Sequence, residues 1–216
     1  CVLTMRHRQS GAIFTTVVLR KGAWPYAVAA AANFILKTKQ FEVELRGDAE
    51  HALMAFLQEV AASLRKRGID ATVQQAPVGS HQSIGGAEKS HDIVAGFVRT
   101  LASVIHEACG FWVKPRSRLF AWMIRHAGYL ATNFHVGKTG QTAFFVLNGC
   151  DNKQTLVQFG ESVLFKPGDA NMKSKALPRW EKGVWVGIQE MDKSHIVLTE
   201  TGYKTARDVS RLSVDR

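Results

Sequence analysis

The sequence predicts an α/β domain, a mixed sheet flanked by helices, followed by a small all-β unit. Three observations predict it. Two β-type runs, Val2 to Arg8 and Ala12 to Leu19, flank the turn chemistry of Gln9-Ser10-Gly11. Strand-like and helix-like periodicities then alternate as far as Asn148. From about Cys150 only short β-type runs remain, separated by Pro, Gly, Asp, Asn and Lys.

The elements follow in order. The first two runs form a hairpin. Pro25 opens an Ala-rich helix, Tyr26 to Lys39, because proline is tolerated at the first helical position. Phe41 to Arg46 alternates apolar and charged residues, as a half-buried strand does. Gly47-Asp48 ends it. Ala49 to Arg67 carries Leu53, Phe56, Leu57, Val60, Ala61 and Leu64 at helical spacing, and Gly68 stops it. Ile69 to Val73 is a further short strand. Gln74 to Gly86, with Pro77, Gly79, Gly85 and Gly86, reads as a flexible loop. Helical spacing returns over Ala87 to Ala108, then over Arg116 to Phe134, and a short helix is expected at Thr142 to Leu147. The tail contributes strands at Ser162 to Phe165, Val184 to Ile188 and Ile196 to Leu198. The expected domains are 1–148 and 160–216, joined by a linker at 149–159.

Composition narrows the function classes. The chain has 216 residues and is 46% hydrophobic, which excludes whole-chain disorder. No apolar run approaches the roughly 20 residues of a membrane span, so no membrane partner is expected. Lys and Arg total 28 against 18 Asp and Glu, a formal charge of +10, which makes a polyanion such as nucleic acid a plausible partner. Residues 1–148 hold 17 basic against 9 acidic side chains, so most of the excess lies in the first domain. Cys1, Cys109 and Cys150 are too few for a disulfide framework and include no Cys-x-x-Cys pair; Cys109 is expected to be a buried small hydrophobe. The histidines show no zinc-ligand spacing, and no nucleophile elbow or phosphate-binding glycine loop is present.

Two carboxylates stand out. Asp48 follows a strand and precedes a helix, so it is either an N-cap or a ligand at a strand end. Glu88 is expected in the first turn of a helix, where it either complements the helix dipole or serves a site. Together they are of the oxygen-ligand type that Mg²⁺ takes, with a third carboxylate expected beside them.

Here the residues resemble a family. Leu45-Arg46-Gly47-Asp48-Ala49-Glu50 resembles the second-aspartate motif of retroelement integrases. Pro77 to Glu88 resembles their Gln-Ser-x-Gly-x-x-Glu motif, and Lys89 matches the basic residue that follows. Phe159 to Val163, Trp180 to Gly187 and Ala206 to Val209 are similar to the small β-barrel after the integrase core in copia-type pol polyproteins. The resemblance implies an RNase H-like core lacking its first strand, then an Src-homology-3-like barrel. It implies Asp48 and Glu88 as catalytic metal ligands for Mg²⁺ or Mn²⁺, and Gln82, Ser83 and Gly85 as a mobile loop beside DNA. The implied chemistry is DNA integration: water nicks the element's DNA ends, then the new 3′-hydroxyl attacks a target phosphodiester. Element and target DNA would be the partners, a homo-oligomer the assembly of the intact protein, and the nucleus its working place.

The chain departs from the pattern at Ala49, Ile84 and His7, and no Asp precedes Asp48. The first aspartate is therefore expected upstream of Cys1, and this fragment alone is expected to be inactive. Lys89, Arg99, Lys173 and Lys175 are the basic residues expected to contact DNA; Lys114, Arg116, Arg118, Arg125, Lys166, Arg179 and Lys182 neighbour them in sequence. Trp185 is expected in the core. Two rival readings remain: a catalytically dead DNA-binding or assembly remnant of a retroelement polyprotein, and a basic α/β protein with no nucleic-acid role.

Overall fold

The computed structural model describes residues 1–77, 81–168 and 178–212, with the backbone alone described for 81–84. The chain forms two compact units. The first comprises Cys1–Val98 and Ala127–Asn152, the second Arg99–His126 and Lys153–Arg216.

The first unit is mixed α/β. Strands β1 (Val2–Arg6) and β2 (Ile13–Val17) pair antiparallel, Val2 opposite Val17 and Arg6 opposite Ile13. The turn between them closes on His7, whose Nδ1 lies 2.8 Å from Ser10 Oγ, and on Gly11, at φ 77°. Such a φ is open to glycine at little cost. Burial pushes the pKa of His7 down, which suits a neutral ring.

Helix α1 (Pro25–Leu36) starts on its proline and buries Ala27, Ala31, Ala32, Phe34 and Ile35. Strand β3 (Glu42–Gly47), helix α2 (His51–Arg65) and strand β4 (Asp70–Gln75) form a βαβ unit, with β3 and β4 parallel and Gly47 opposite Gln75. A Cβ on Gly47 would lie 2.8 Å from Leu57 Cδ1, so α2 rests directly on the end of β3. One apolar cluster joins both strand pairs to α1 and α2. It holds Ala31, Phe34, Leu45, Phe56, Val60, Leu64 and Ala71, with Leu3, Met5, Phe14 and Val43 against it.

Helices α3 (His81–Cys109) and α4 (Arg118–Phe134) each contribute to both units. Within the first, α4 presses on β2. Thr132 Oγ1 accepts from Ile13 N at 2.8 Å and donates to Ile13 O at 2.9 Å, and a Cβ on Gly128 would collide with Thr15 Oγ1. Helix α5 (Ala143–Asn148) is capped by Thr142, whose side chain accepts from Phe145 N, and ends on Gly149 in the left-handed region.

Start and length of α3 differ from the sequence expectation. Within the expected loop over 74–86, Gln74 and Gln75 end β4 and 81–86, including Gly85 and Gly86, are helical, while 78–80 lie outside the described residues. Two glycines cost a helix roughly 2 kcal/mol in propensity. Docking offsets that cost. Gly86 and Ser90, one turn apart on one face, both meet Arg6, and Ser90 is fully buried.

The second unit carries a five-stranded antiparallel sheet in the order β8-β7-β6-β5-β9. Its strands are β5 (Ser162–Phe165), β6 (Glu181–Ile188), β7 (His195–Thr199), β8 (Gly202–Ala206) and β9 (Val209–Arg211). Trp185 is fully buried, as expected. His126 of α4 stacks on Phe159 at 5.3 Å between centroids and meets Trp185 edge-on at 5.2 Å. Cys109 is exposed rather than buried, because α3 ends there in solvent. Among the described residues no helix is long and apolar enough to cross a membrane.

Candidate functional site

Asp48 is the first residue after β3 and is exposed. It does not cap α2. The N-cap is Glu50, which makes no side-chain cap bond and instead pairs with Lys21 at 2.7 Å. The structural role that most readily explains an Asp before a helix is therefore absent here. Ala76 N donates to Gly47 O at 2.8 Å, which ties the end of β3 to the exit of β4 just before Asp48. The chain leaving β4 then enters α3. Asp48 and the start of α3 thus follow the same, C-terminal end of the β3–β4 pair, where functional groups of parallel α/β units gather.

Glu88 lies two turns into α3, not in its first turn, because the helix begins at His81. That is roughly 10 Å along the axis, too far in for the dipole to explain it. Glu88 and Lys89 are exposed, and the next residue, Ser90, is buried. Ser90 Oγ donates to Gly86 O at 2.9 Å and lies 3.4 Å from Arg6 Nη1; one residue on, His91 Nδ1 lies 3.4 Å from Thr4 Oγ1. This row of contacts fixes the rotation of α3 about its axis and turns Glu88 and Lys89 outward. Sequence reasoning missed Arg6 and Ser90. The available signal was the small-residue pair Gly86 and Ser90 at i, i+4 spacing.

Neither Asp48 nor Glu88 makes an ion pair or a side-chain hydrogen bond among the described residues, so both carboxylates are open to a ligand. Other acids are engaged: Glu44 with Arg46 at 2.6 Å, Glu181 with Lys204 at 2.8 Å, Glu161 with Arg211 at 2.7 Å. Among the described residues no three His, Cys, Asp or Glu side chains gather as a metal site. Carboxylates such as these two are, in kind, the oxygen donors that Mg²⁺ or Mn²⁺ takes.

Gln82 and Ser83 lie on the described backbone of the first turn of α3, and Gly85 in its second, so these residues are helical and not a loop. Arg99 is an exposed residue of α3 in the second unit. Lys173 and Lys175 lie outside the described residues. Arg125 is engaged, with Nη2 3.0 Å from Gln189 Oε1 and its guanidinium 5.3 Å from the centre of the Trp122 ring.

No family model matches this chain, and no curated protein matches it. Among solved structures it is similar to a chain of the simian T-cell lymphotropic virus intasome in complex with PP2A regulatory subunit B56 gamma. That likeness has 14% identity and a TM-score of 0.48 and covers 100% of this chain and 73% of the other. The catalytic core domain of BIV integrase matches at 14% identity and a TM-score of 0.46, over 68% of this chain and 84% of that one. The HTLV-2 integrase catalytic core domain in complex with magnesium, trimeric form, matches at 14% identity and a TM-score of 0.44, over 68% and 93%. At such scores any functional reading rests on the residues of this chain itself.

Proposed function

We propose that this chain is part of a retroelement integrase that processes DNA ends and joins them to target DNA. The observation that carries the reading is the pair of open carboxylates following one end of a parallel βαβ unit: Asp48 directly after β3, and Glu88, followed by Lys89, on the helix after β4. Their order along the chain is that of the motifs read from the sequence. Asp48 and Glu88 would hold Mg²⁺ or Mn²⁺ together with a third carboxylate not among the described residues. Such an ion, when bound, supplies charge stabilisation to the attacking and leaving oxygens of a phosphodiester. Lys89 and Arg99 would each bind phosphates without reading sequence, a role also proposed for Lys173 and Lys175.

Manganese binding to the 216-residue chain, followed by electron paramagnetic resonance, tests the metal assignment. Asp48→Asn and Glu88→Gln are each expected to weaken it by about tenfold or more. Asp70→Asn, at the opposite end of the β3–β4 pair, is expected to leave it unchanged. Equal effects of all three variants would sink the assignment. The departures Ala49 and Ile84 favour a second reading, a DNA-binding remnant without catalysis. It shares the basic surface and differs in lacking strand transfer.

A further inference from the structure

The connection between α3 and α4, within the second unit, carries two large aromatic side chains that the fold leaves uncovered. Phe111 and Trp112 are 50% and 59% exposed, although Val113 beside them is buried. Both ends of the connection are fixed. Gly110 N donates to His106 O at 2.8 Å, and Gly110 takes a φ of 73°, which ends α3 and turns the chain back. Ser117 N donates to Lys114 O at 2.9 Å, and Ser117 Oγ accepts from Phe120 N at 3.2 Å, which sets the start of α4. The Trp112 ring lies flat on His106, with 4.2 Å between centroids and 14° between planes. The stack holds the pair without a hydrogen bond at His106 Nδ1, which is buried and has no partner among the described residues. With one face of the indole covered, its exposure belongs to the opposite face and the rim.

The charge around this pair has one sign. Lys114, Arg116 and Arg118 follow at once and are exposed. None of them makes an ion pair or a side-chain hydrogen bond among the described residues, whereas Lys21, Arg46, Lys204 and Arg211 all pair with a glutamate. From Ala108 to His126 the sequence has no Asp or Glu. The three cations therefore call for a negative partner from outside. The aromatic pair narrows its chemistry. An acidic peptide supplies charge without planar faces, and a duplex keeps its base faces inside the stack. A single nucleic-acid strand supplies both, a phosphate at every nucleotide and a base plane free to stack.

We propose that the α3–α4 connection is a platform for the unpaired bases of single-stranded DNA. A base stacks on the open face of Trp112, backed by His106 and flanked by Phe111, while Lys114, Arg116 and Arg118 hold phosphates of the same strand. Contact is to the π face and the backbone, so the platform reads no particular sequence. Its one hydroxyl, on Ser117, is engaged at the cap of α4, which leaves none set aside for a ribose 2′-hydroxyl. The platform goes beyond the integrase reading and uses other residues, so failure of manganese binding at Asp48 and Glu88 leaves it standing.

Fluorescence anisotropy on the 216-residue chain tests it, with a labelled strand of about 20 thymidines set against an abasic strand of the same length. The thymidine strand binds about tenfold tighter than the abasic one. Trp112→Ala removes that advantage and leaves the affinity for the abasic strand unchanged. Trp112→Phe keeps most of the advantage, because a smaller π face still stacks. Lys114→Ala and Arg116→Ala weaken both strands, and each lowers the salt slope by about 0.7. Phe41→Ala, which removes an exposed aromatic of the first unit followed by Glu42, changes neither affinity. Equal losses on both strands in Trp112→Ala, or no preference for bases in the unaltered chain, would overturn the platform. Tighter binding of the matching RNA strand would overturn the occupant. Sedimentation in which Trp112→Ala turns an oligomer into a monomer, with the preference for bases intact, would make the patch a contact between copies and overturn the proposal.

Discussion

Arg6 of β1 reaches Ser90 of α3 with Nη1 3.4 Å from Oγ, and Ser90 Oγ in turn donates to Gly86 O at 2.9 Å. This link sets the rotation of α3 and so the outward aim of Glu88. Ser90 has no exposed surface, and a larger side chain there must push the helix off β1. Ser90→Leu is expected to cost about 1–3 kcal/mol, read as a lower denaturant midpoint, with weaker manganese binding in parallel. Loss of stability with manganese binding intact would detach the site from this contact.

Gly85 tests whether the segment before Glu88 is helix or loop. A Cβ at Gly85 would meet nothing within 4 Å, and its φ is not in the positive region. Gly85→Ala is therefore expected to stabilise the protein by about 0.5–1 kcal/mol in urea unfolding. A destabilised variant would show that the residue needs a conformation only glycine reaches.

Burial, and secondarily the Arg125 charge, pushes the pKa of His126 from 6.5 down to about 4. Burial also lowers His195, against an opposing pull from Asp208, while Trp185 Nε1 donates to His195 Nδ1 at 3.0 Å. Both groups bind protons more readily when unfolded. Their contribution is therefore complete above about pH 6.5 and is lost as pH falls toward 4. For His126 the loss is on the order of 3 kcal/mol. Urea midpoints at pH 7, 5.5 and 4 should fall in that order, and His126→Phe should flatten much of the slope. A midpoint independent of pH would contradict the buried, neutral ring.

The proposed DNA binding should weaken steeply with salt, because lysine and arginine contacts to phosphates release condensed counterions. Removing one phosphate contact changes the slope of log affinity against log salt by about 0.9. Lys89→Ala and Arg99→Ala should each reduce the slope by about that amount in anisotropy titrations of a random-sequence duplex. A slope near zero in the unaltered chain would remove nucleic acid as a partner.

Much of this architecture is legible in the sequence, because hydrophobic period and punctuation residues carry most elements. Pro25 marks the start of α1, the alternation from Phe41 to Arg46 marks β3, and the apolar stripe from Leu53 to Leu64 marks α2. The failures have physical causes. Gly85 and Gly86 read as a loop because propensity is local, whereas the contact of Gly86 and Ser90 with Arg6 joins residues far apart in sequence. Strands β8 and β9 escape a sequence reading because they are short and lean on partners: Tyr203 is largely exposed, and β9 has three residues held against β5. The carboxylates are visible as types. Their freedom from capping is not, since it depends on α2 starting at His51 and not at Ala49.

The account turns on Asp48 and Glu88 acting as one metal-binding pair in phosphoryl transfer. The most direct measurement is Mg²⁺-dependent strand transfer by the chain extended ahead of Cys1 with an apolar strand bearing one aspartate. Comparison with its Asp48→Asn and Glu88→Gln variants reads the pair itself. The account predicts joined DNA products from the extended chain and at least a roughly 100-fold lower rate in either variant. Joining at an unchanged rate in both variants would contradict it.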